Sequence, residues 1–287
     1  MNSISIYMNH SETSDHNTAL EKSVTIVTAY YHIKSKHDPQ KYDEWINNLL
    51  VNVSKSCNMV IFTSPELVNY IKEICEKNKN GAAFTVISME LKNLKIAKQY
   101  PPDVWWKQYS LDPQKACGRK VGCYLIWNSK LWFMNEAIER NVYGSDKYVW
   151  IDIGSFRTND PAVCASIFDK FPVYECISYD KVDIMLIRPY LSYEMKQIVF
   201  FNTVHLGGGM FGGGVHAIRQ LYKLFYESLD YYISKNYFAG CDQQILSTCY
   251  MRNPKLFNLV TKRNPNDSWN EWFYLYKFWN ISTTYTV

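Results

Sequence analysis

Two acids in this sequence stand where a charged side chain needs a chemical reason. Asp152 ends the stretch VWID, in which three apolar residues lead directly into one carboxylate. Burying that charge without a partner is costly, so the sequence predicts that Asp152 holds a ligand. Asp242 opens the stretch DQQIL at the start of a predicted helix, where it serves either as a helix cap or in chemistry. A carboxylate there can act as a base or stabilise positive charge, whereas the neighbouring Gln243 amide can only orient or stabilise.

A run of glycines is the third feature. Six of the eight residues from 207 to 214 are glycine. Because glycine costs backbone entropy, the run must approach something closely or adopt positive φ. A sugar or phosphate against the backbone is one reason, and close packing of a strand against a helix is another. Gly207, Gly209 and Gly212 also fit the dinucleotide pattern GxGxxG, but the acid expected about 20 residues later, at the end of a second strand, is missing.

The bulk composition excludes several classes of protein. The 287 residues include 31 basic and 27 acidic ones, a net charge of +4 without a basic run, so no nucleic-acid partner is predicted. No stretch approaches the ~20 apolar residues of a membrane span, and no signal peptide is predicted. The eight cysteines form no CxxC pair, which argues against zinc and favours free thiols in a reducing, cytoplasmic location.

The first third of the chain alternates predicted strands and helices. Strands are predicted at VTIVTAYY, MVIFTS and AAFTVISM, and a helix with Asp38 as its N-cap and Pro39 as its first residue follows the first strand. A second helix, SPELVNYIKEIC, follows the second strand. This alternation is typical of a parallel sheet with right-handed crossovers. Ligands bind such sheets beyond the carboxyl ends of the strands, so the ends after Thr28, Thr63 and Asp152 are expected to face one crevice.

The remaining segments complete a single predicted domain over residues 23–287, preceded by a flexible arm over 1–22. The prolines and aromatic residues within 90–115 favour a loop. A long helix is predicted over 115–141, leading into the Asp152 strand. The aromatic stretch 268–279 is interpreted as core or lid packing, with stacking on sugar rings as the alternative.

The segments WIDIGSFR, GGGMFGGG and CDQQIL, in this order, resemble the HtrL/YibB-like family of glycosyltransferases with a GT-A fold. The order is also similar to retaining GT-A enzymes of the blood-group and LgtC-like types. The resemblance implies an α/β, GT-A-like single domain with a Rossmann-like, mostly parallel mixed sheet flanked by helices. It further implies a nucleotide-sugar donor, most simply a UDP sugar, and a glycan, lipid-linked or protein acceptor.

The same resemblance assigns roles to the two acids. Asp152 matches the first acid of an Asp-x-Asp motif, which lies near the ribose, the donor diphosphate and a divalent metal. Gly154 departs from the motif, because the second acid normally binds the metal directly, and the late histidine ligand of such enzymes is also missing. The resemblance therefore implies Mn²⁺ or Mg²⁺ at Asp152 with few protein ligands. If no metal binds, cations must stabilise the leaving group instead, with Arg157, Lys262 and Arg263 as candidates.

Asp242 and Gln243 match the Asp-Glu or Asp-Gln pair beside the anomeric carbon and are the predicted catalytic residues. Because an amide occupies the second position, same-face attack with retention is favoured over double displacement. The remaining donor-site and acceptor-site residues implied by the resemblance are Thr28, Ala29 and Tyr30 for the nucleotide base, Asn128 and Lys130 for the nucleotide, Gly207, Gly208 and Gly209 for the donor sugar, and Asn202 and His205 for sugar hydroxyls or a metal.

Structural roles compete with several of these assignments. Tyr30 could be core, Lys130 could be solvated on a helix surface, and His205 could satisfy a structural hydrogen bond. Two other functions also stay open. One is a catalytically inactive relative that binds sugar nucleotides or glycans, and the other is a dinucleotide-dependent oxidoreductase built on the glycine run.

Overall fold

The computed structural model describes residues 6–9, 22–33 and 38–280, with side chains described from residue 22 onward. The strands in these ranges are β1 (Ile6–Asn9), β2 (Val24–Tyr30), β3 (Cys57–Thr63), β4 (Ala83–Ser88), β5 (Lys147–Ile151), β6 (Val182–Leu186), β7 (Leu206–Gly214) and β8 (Phe257–Val260). The α-helices are α1 (Pro39–Leu50), α2 (Val68–Cys75), α3 (Lys95–Gln99), α4 (Pro102–Leu111), α5 (Val121–Trp127), α6 (Lys130–Arg140), α7 (Pro161–Phe168), α8 (Val215–Ser234), α9 (Asp242–Arg252) and α10 (Leu275–Phe278).

All described strands join one mixed sheet, in the order β1-β4-β3-β2-β5-β7-β6-β8. Neighbours pair in parallel from β4 through β3 and β2 to β5, and again between β6 and β8. Only β1 and β7 run the opposite way. The carboxyl ends of six strands and the beginning of β7 therefore share one edge, which confirms the predicted mostly parallel α/β sheet flanked by helices.

The alternation of side chains along the strands separates two cores. Val27 and Trp150 belong to the core that packs against α6, α8 and α9. Ile26 and Val149, one position earlier on the same strands, belong to the core under α1, α2 and α7. Successive strand residues point to opposite faces, so each strand supplies both layers and reads as a nearly continuous apolar run.

The predicted elements of the first third are confirmed, including the start of α1. The Asp38 carboxylate accepts a hydrogen bond of 2.8 Å from the backbone N–H of Gln40, and Pro39 is the first helical residue. This cap satisfies one of the donors that the first turn of a helix leaves unpaired.

Three predictions about local structure are wrong. The segment around Pro101 and Pro102 is helix α4 instead of a loop, because Pro102 occupies the first helical turn, where a missing N–H costs nothing. The predicted long helix is divided into α5 and α6 at Asn128. The predicted arm contains strand β1, which pairs with β4, so part of the sheet precedes residue 23. Residues 1–5 and 10–21 of that arm lie outside the described residues.

The glycine run is a strand, β7, and not a loop. A Cβ atom at Gly212 would lie 2.8 Å from the Cα of Val149 on β5. At Gly213 and Gly214 it would lie 2.3 Å from backbone oxygens in the segment that precedes β6. These glycines are therefore needed for close packing within the sheet. Their position inside an antiparallel strand does not match the turn between strand and helix that binds a dinucleotide.

The predicted free thiols are confirmed, since all eight cysteines lie in the described ranges and none forms a disulfide. Among the described residues, we find no helix with the length and apolar character needed to cross a membrane.

We expect Gly212→Ala to lower the free energy of unfolding by about 2 kcal/mol, since its new methyl group would collide with the backbone of β5. Urea unfolding would measure the change. Gly122→Ala is the matched control, because its Cβ approaches only the flexible end of the Ile33 side chain. An equal loss in both variants would contradict the packing argument.

Candidate functional site

Lys130, the first residue of α6, is the centre of the charged groups at the carboxyl edge of the sheet. Its Nζ lies 3.1 Å from Asp152 Oδ1 and 2.9 Å from Asp242 Oδ2, and it donates a hydrogen bond of 2.8 Å to the carbonyl oxygen of Gly208. The lysine is 4% exposed. We call Lys130, Asp152 and Asp242 the Lys130 cluster. The predicted alternative of a solvated surface lysine is therefore wrong.

Asp152 extends the pairing of β5 with β7 by one residue. Its N–H donates a hydrogen bond of 2.8 Å to the carbonyl oxygen of Gly209, which fixes the backbone. Oδ1 accepts a hydrogen bond of 2.7 Å from the Trp150 indole as well as pairing with Lys130. These contacts fall on Oδ1, and the side chain remains 39% exposed. Oδ2 is thus the oxygen that Asp152 can offer to a ligand.

Asp242 is the first residue of α9 and is almost fully buried. The N-cap of α9 is Cys241, and the Asp242 side chain turns to Lys130, so the capping alternative is not its role. Burial raises the pKa of Asp242, and Lys130 opposes that rise. For Lys130, burial alone would lower the pKa, but the two carboxylates raise it above its ordinary value. The ammonium is therefore charged at neutral pH, and the positive end of the α9 dipole also favours the Asp242 anion.

Glycines 208 and 209 of β7 allow the Lys130 cluster to assemble. A Cβ at Gly208 would lie 2.6 Å from Asp242 Oδ2. A Cβ at Gly209 would lie 3.0 Å from the Phe273 ring and 3.3 Å from Asp152 Oδ2. Close approach to functional side chains is thus the reason for these two glycines, whereas Gly207 packs against Met185 and Ile187.

Asn128 positions Lys130 from two residues away. Its amide donates hydrogen bonds of 3.0 Å to the carbonyl oxygens of Tyr124 and Ala239. The first bond closes the end of α5, and the second ties the α5–α6 junction to the segment before α9. Asn128 is fully buried by these contacts, so its role in the structure is to place α6 and α9 relative to each other.

A cleft of about 320 Å³ opens above the Lys130 cluster. Its size is at the lower end of the range for small-molecule sites, about 300–1,000 Å³. Seven of the residues predicted from the sequence line it, namely Lys130, Asp152, Arg157, Gly208, Gly209, Asp242 and Gln243. Its other lining residues are Arg119, Trp127, Cys241, Asn270, Trp272 and Phe273.

The other predicted residues lie elsewhere. Thr28 and Ala29 are buried in β2, and Tyr30 follows them against the Tyr70 ring. His205 is buried, with Nδ1 3.0 Å from the carbonyl oxygen of Arg188, its ring stacked on Tyr190 and Nε2 near Glu194. Three further residues, predicted to contact sugar or to replace a metal, do not line the cleft, namely Asn202, Lys262 and Arg263. Asn202 contacts Gln114 instead. Lys262 donates a hydrogen bond to the Asp267 carbonyl oxygen, and Arg263 lies over the Phe278 ring.

Sequence reasoning missed Arg119 and Trp127. Arg119 lies in the irregular segment before α5, pairs with the buried carboxylate of Asp112 at 3.3 Å and stands over the Trp127 ring. Its partners could not be inferred from spacing. Trp272 and Phe273 belong to the aromatic stretch 268–279, which the sequence predicts as core or lid packing. Phe273 does pack into the core, and both residues also face the cleft.

A larger groove of about 560 Å³ lies between α1 and α7 and is lined mainly by asparagines and by residues of α7. None of the residues predicted from the sequence lines this groove. The charged cleft is the better candidate because it combines converging carboxylates, cations and aromatic rings.

The fold and the site together define an α/β protein with a charged cleft at the carboxyl ends of its strands. The chain belongs to the HtrL_YibB family, described as a bacterial protein of unknown function, which it matches over residues 108–280. The matched region contains every residue that lines the cleft. This membership confirms the family predicted from the three sequence segments.

Two individual proteins illustrate what the chain is similar to. Protein HtrL of Escherichia coli strain K12 is 27% identical over 266 residues, which cover 84% of this chain and 88% of HtrL. Among solved structures, the apo crystal structure of mouse xyloside xylosyltransferase 1 aligns with a TM-score of 0.47 and 13% identity, over 83% of this chain and 85% of that chain.

We expect Lys130→Met to destabilise the fold by about 3 kcal/mol, because Asp242 would keep its buried charge without the paired cation. Adding Asp242→Asn to that variant should recover part of the loss. Urea unfolding of both single variants and the double variant would give the coupling between the two residues. Purely additive losses would show that the two side chains do not interact.

The same variant should acquire a characteristic pH dependence. Without Lys130, the folded-state pKa of Asp242 rises further above its unfolded value, since burial is no longer offset. Stability should be greatest below the unfolded pKa and should fall as the pH rises toward the folded pKa, because the folded state then retains a proton that the unfolded chain releases. Unfolding measured across acidic to neutral pH would test this, with the Lys130→Met/Asp242→Asn double variant as the control. A pH dependence equally steep in that control would assign it to other groups.

Proposed function

We propose that this protein is a glycosyltransferase that transfers a sugar from a nucleotide-sugar donor, in the first instance a UDP sugar, to a hydroxyl group of an acceptor. The observation that carries this proposal is the Lys130 cluster at the base of the cleft. A buried ammonium holds two carboxylates from separate elements beside a strand that has no side chains at Gly208 and Gly209. The two glycines let both acids lie against the strand and line the cleft, where sugar hydroxyls can bind them.

The chemistry of the lining suits the parts of such a donor. Carboxylate oxygens accept hydrogen bonds from sugar hydroxyls, and Trp127 and Trp272 offer aromatic faces for rings. Arg119 and Arg157 offer guanidinium groups, which bind phosphate through paired N–H donors. The three segments that resemble GT-A glycosyltransferases in sequence supply Asp152, Gly208 and Asp242 to the same cleft.

We further propose that Asp242 stabilises positive charge at the anomeric carbon and that Gln243 orients the substrate. The bond between the anomeric carbon and the leaving phosphate oxygen breaks, and the acceptor oxygen forms the new bond on the same face. The departing phosphate takes the acceptor proton, so that no covalent enzyme intermediate is needed. Asp242 is suited to an electrostatic role because Lys130 holds it in place and Gln243 cannot serve as a nucleophile.

Binding of a nucleotide is the first test. Thermal-shift titrations with UDP, GDP, CDP and NAD are expected to give stabilisation by one nucleoside diphosphate and none by NAD. At a ligand concentration of about 100 times Kd, the stabilisation would be about 2.7 kcal/mol. A shift with NAD alone would instead favour the oxidoreductase. The absence of any shift would count against the transferase.

Asp242→Asn should lower the rate of UDP release from a UDP sugar at least ~100-fold, as for removal of one preorganised electrostatic group, and change donor affinity far less. Rates and donor Kd values would be measured on the same samples. Asp180→Asn, at an exposed residue outside the cleft, is the matched control. Donor binding with no turnover in the unaltered protein would identify it as a non-catalytic sugar-nucleotide binder.

A further inference from the structure

The space beside Asp152 is narrow at the position where an Asp-x-Asp motif has its second acid. A Cβ at Gly154 would lie 3.1 Å from Cε1 of Tyr42 and 3.5 Å from Cε3 of Trp45. The aromatic rings of α1 therefore crowd any side chain at position 154. Glycine suits this packing, and the motif supplies one acid only.

The donor set around Asp152 fits a divalent cation poorly. Mn²⁺ and Mg²⁺ prefer several oxygen ligands, about six in an octahedral arrangement. Asp152 Oδ1 is already paired with Trp150 and Lys130, which leaves Oδ2. Within residues 22–33 and 38–280, no group of three or more His, Cys, Asp or Glu side chains is arranged to hold a metal ion. The residues present therefore supply few ligands for the predicted metal.

Lys130 already provides a fixed positive charge beside Asp152. Three oxygen atoms surround its Nζ, at 3.1 Å from Asp152 Oδ1, 2.9 Å from Asp242 Oδ2 and 2.8 Å from the Gly208 carbonyl oxygen, so the charge of Lys130 is already matched within the protein. Lys130 therefore holds the two carboxylates in position. Binding the negative charge of a diphosphate requires further cations.

Arg157 is held in a position suited to that task. Its Nε donates a hydrogen bond of 3.2 Å to the carbonyl oxygen of Gly154. Its guanidinium lies 4.4 Å from the centroid of the Trp45 ring and 5.0 Å from that of Phe273. No hydrogen bond to either terminal nitrogen is found in the described part of the chain. Those two nitrogens form a planar donor pair, oriented in advance by the rings and the carbonyl.

Arg119 adds a second guanidinium to the cleft lining. It is anchored by Asp112 and by a hydrogen bond of 2.6 Å from Nη2 to Gln114 Oε1. The charged residues that line the cleft are thus three cations, Arg119, Lys130 and Arg157, against the two carboxylates of Asp152 and Asp242. Because Asp112 already neutralises Arg119, Arg157 is the cation of the lining that has no carboxylate partner among the described residues, and its charge favours an anionic ligand.

We propose that Arg157, assisted by Arg119, binds the diphosphate of the nucleotide sugar and stabilises the leaving nucleoside diphosphate without a divalent metal ion. This inference rests on the proposed glycosyltransferase function. When the bond to the anomeric carbon breaks, its electron pair stays on the phosphate oxygen. The Arg157 N–H donors bind that phosphate, which then takes the acceptor proton.

Isothermal titration with UDP, GDP and CDP tests the inference, each in EDTA and again with excess Mn²⁺. One nucleotide is expected to bind with a Kd that differs by less than about threefold between the two conditions. Arg157→Met should weaken that binding about 10- to 100-fold, as for loss of hydrogen bonds between charged groups. Arg157→Lys should restore binding only in part, because an ammonium lacks the paired donors.

Arg219→Met is the matched control, since this half-exposed arginine pairs with Glu139 and lies outside the cleft. Its Kd should equal that of the unaltered protein. Binding that requires Mn²⁺ and is insensitive to Arg157→Met would overturn the inference and leave the transferase proposal intact. Failure of all three nucleotides to bind, with or without Mn²⁺, would overturn both. Unchanged melting temperatures would show that the Arg157 variants remain folded.

Discussion

The pairing of one buried ammonium with two carboxylates is the interaction on which the site depends. Lys130 begins α6, Asp152 follows β5, and Asp242 begins α9, so a single cation joins three elements that are distant in the chain. A buried charge is tolerated only when its partners are close, so the helices must be placed precisely enough to bring these partners within reach. The hydrogen bonds of Asn128 to Tyr124 and Ala239 fix the start of α6 relative to the segment before α9.

Strand β7 adds a second constraint, a need for glycine where the sheet meets the Lys130 cluster and the neighbouring backbone. Its first glycines bring the backbone within reach of the Lys130 cluster, and its last glycines allow the strand to lie against β5 and the segment before β6. One strand thus meets two separate requirements for small residues. Close approach of the Lys130 cluster explains Gly208 and Gly209, and close packing explains the last glycines of the run.

The sequence predicts much of the fold because the strands of the first third are continuous apolar runs separated by capped helices. Asp152 could be singled out because a carboxylate at the end of an apolar run has no ordinary structural role. Asp242 could be singled out through its resemblance to the Asp-Glu or Asp-Gln pair, with a helix cap as the alternative. Arg119 was missed because Asp112, its partner, is recognisable only after the chain has folded. Asn128 was assigned to the nucleotide for a similar reason, since its second acceptor, Ala239, is distant in sequence.

Strand β1 has a consequence for the behaviour of the protein in concentrated solution. It covers β4, whose sequence AFTVIS is rich in β-branched residues and carries no charge. An uncovered strand of this kind offers a row of unpaired N–H and C=O groups to any second chain. The pairing of β1 with β4 therefore replaces an edge of six residues by one of four, and a short edge strand limits edge-to-edge association. This role is separate from the chemistry of the cleft.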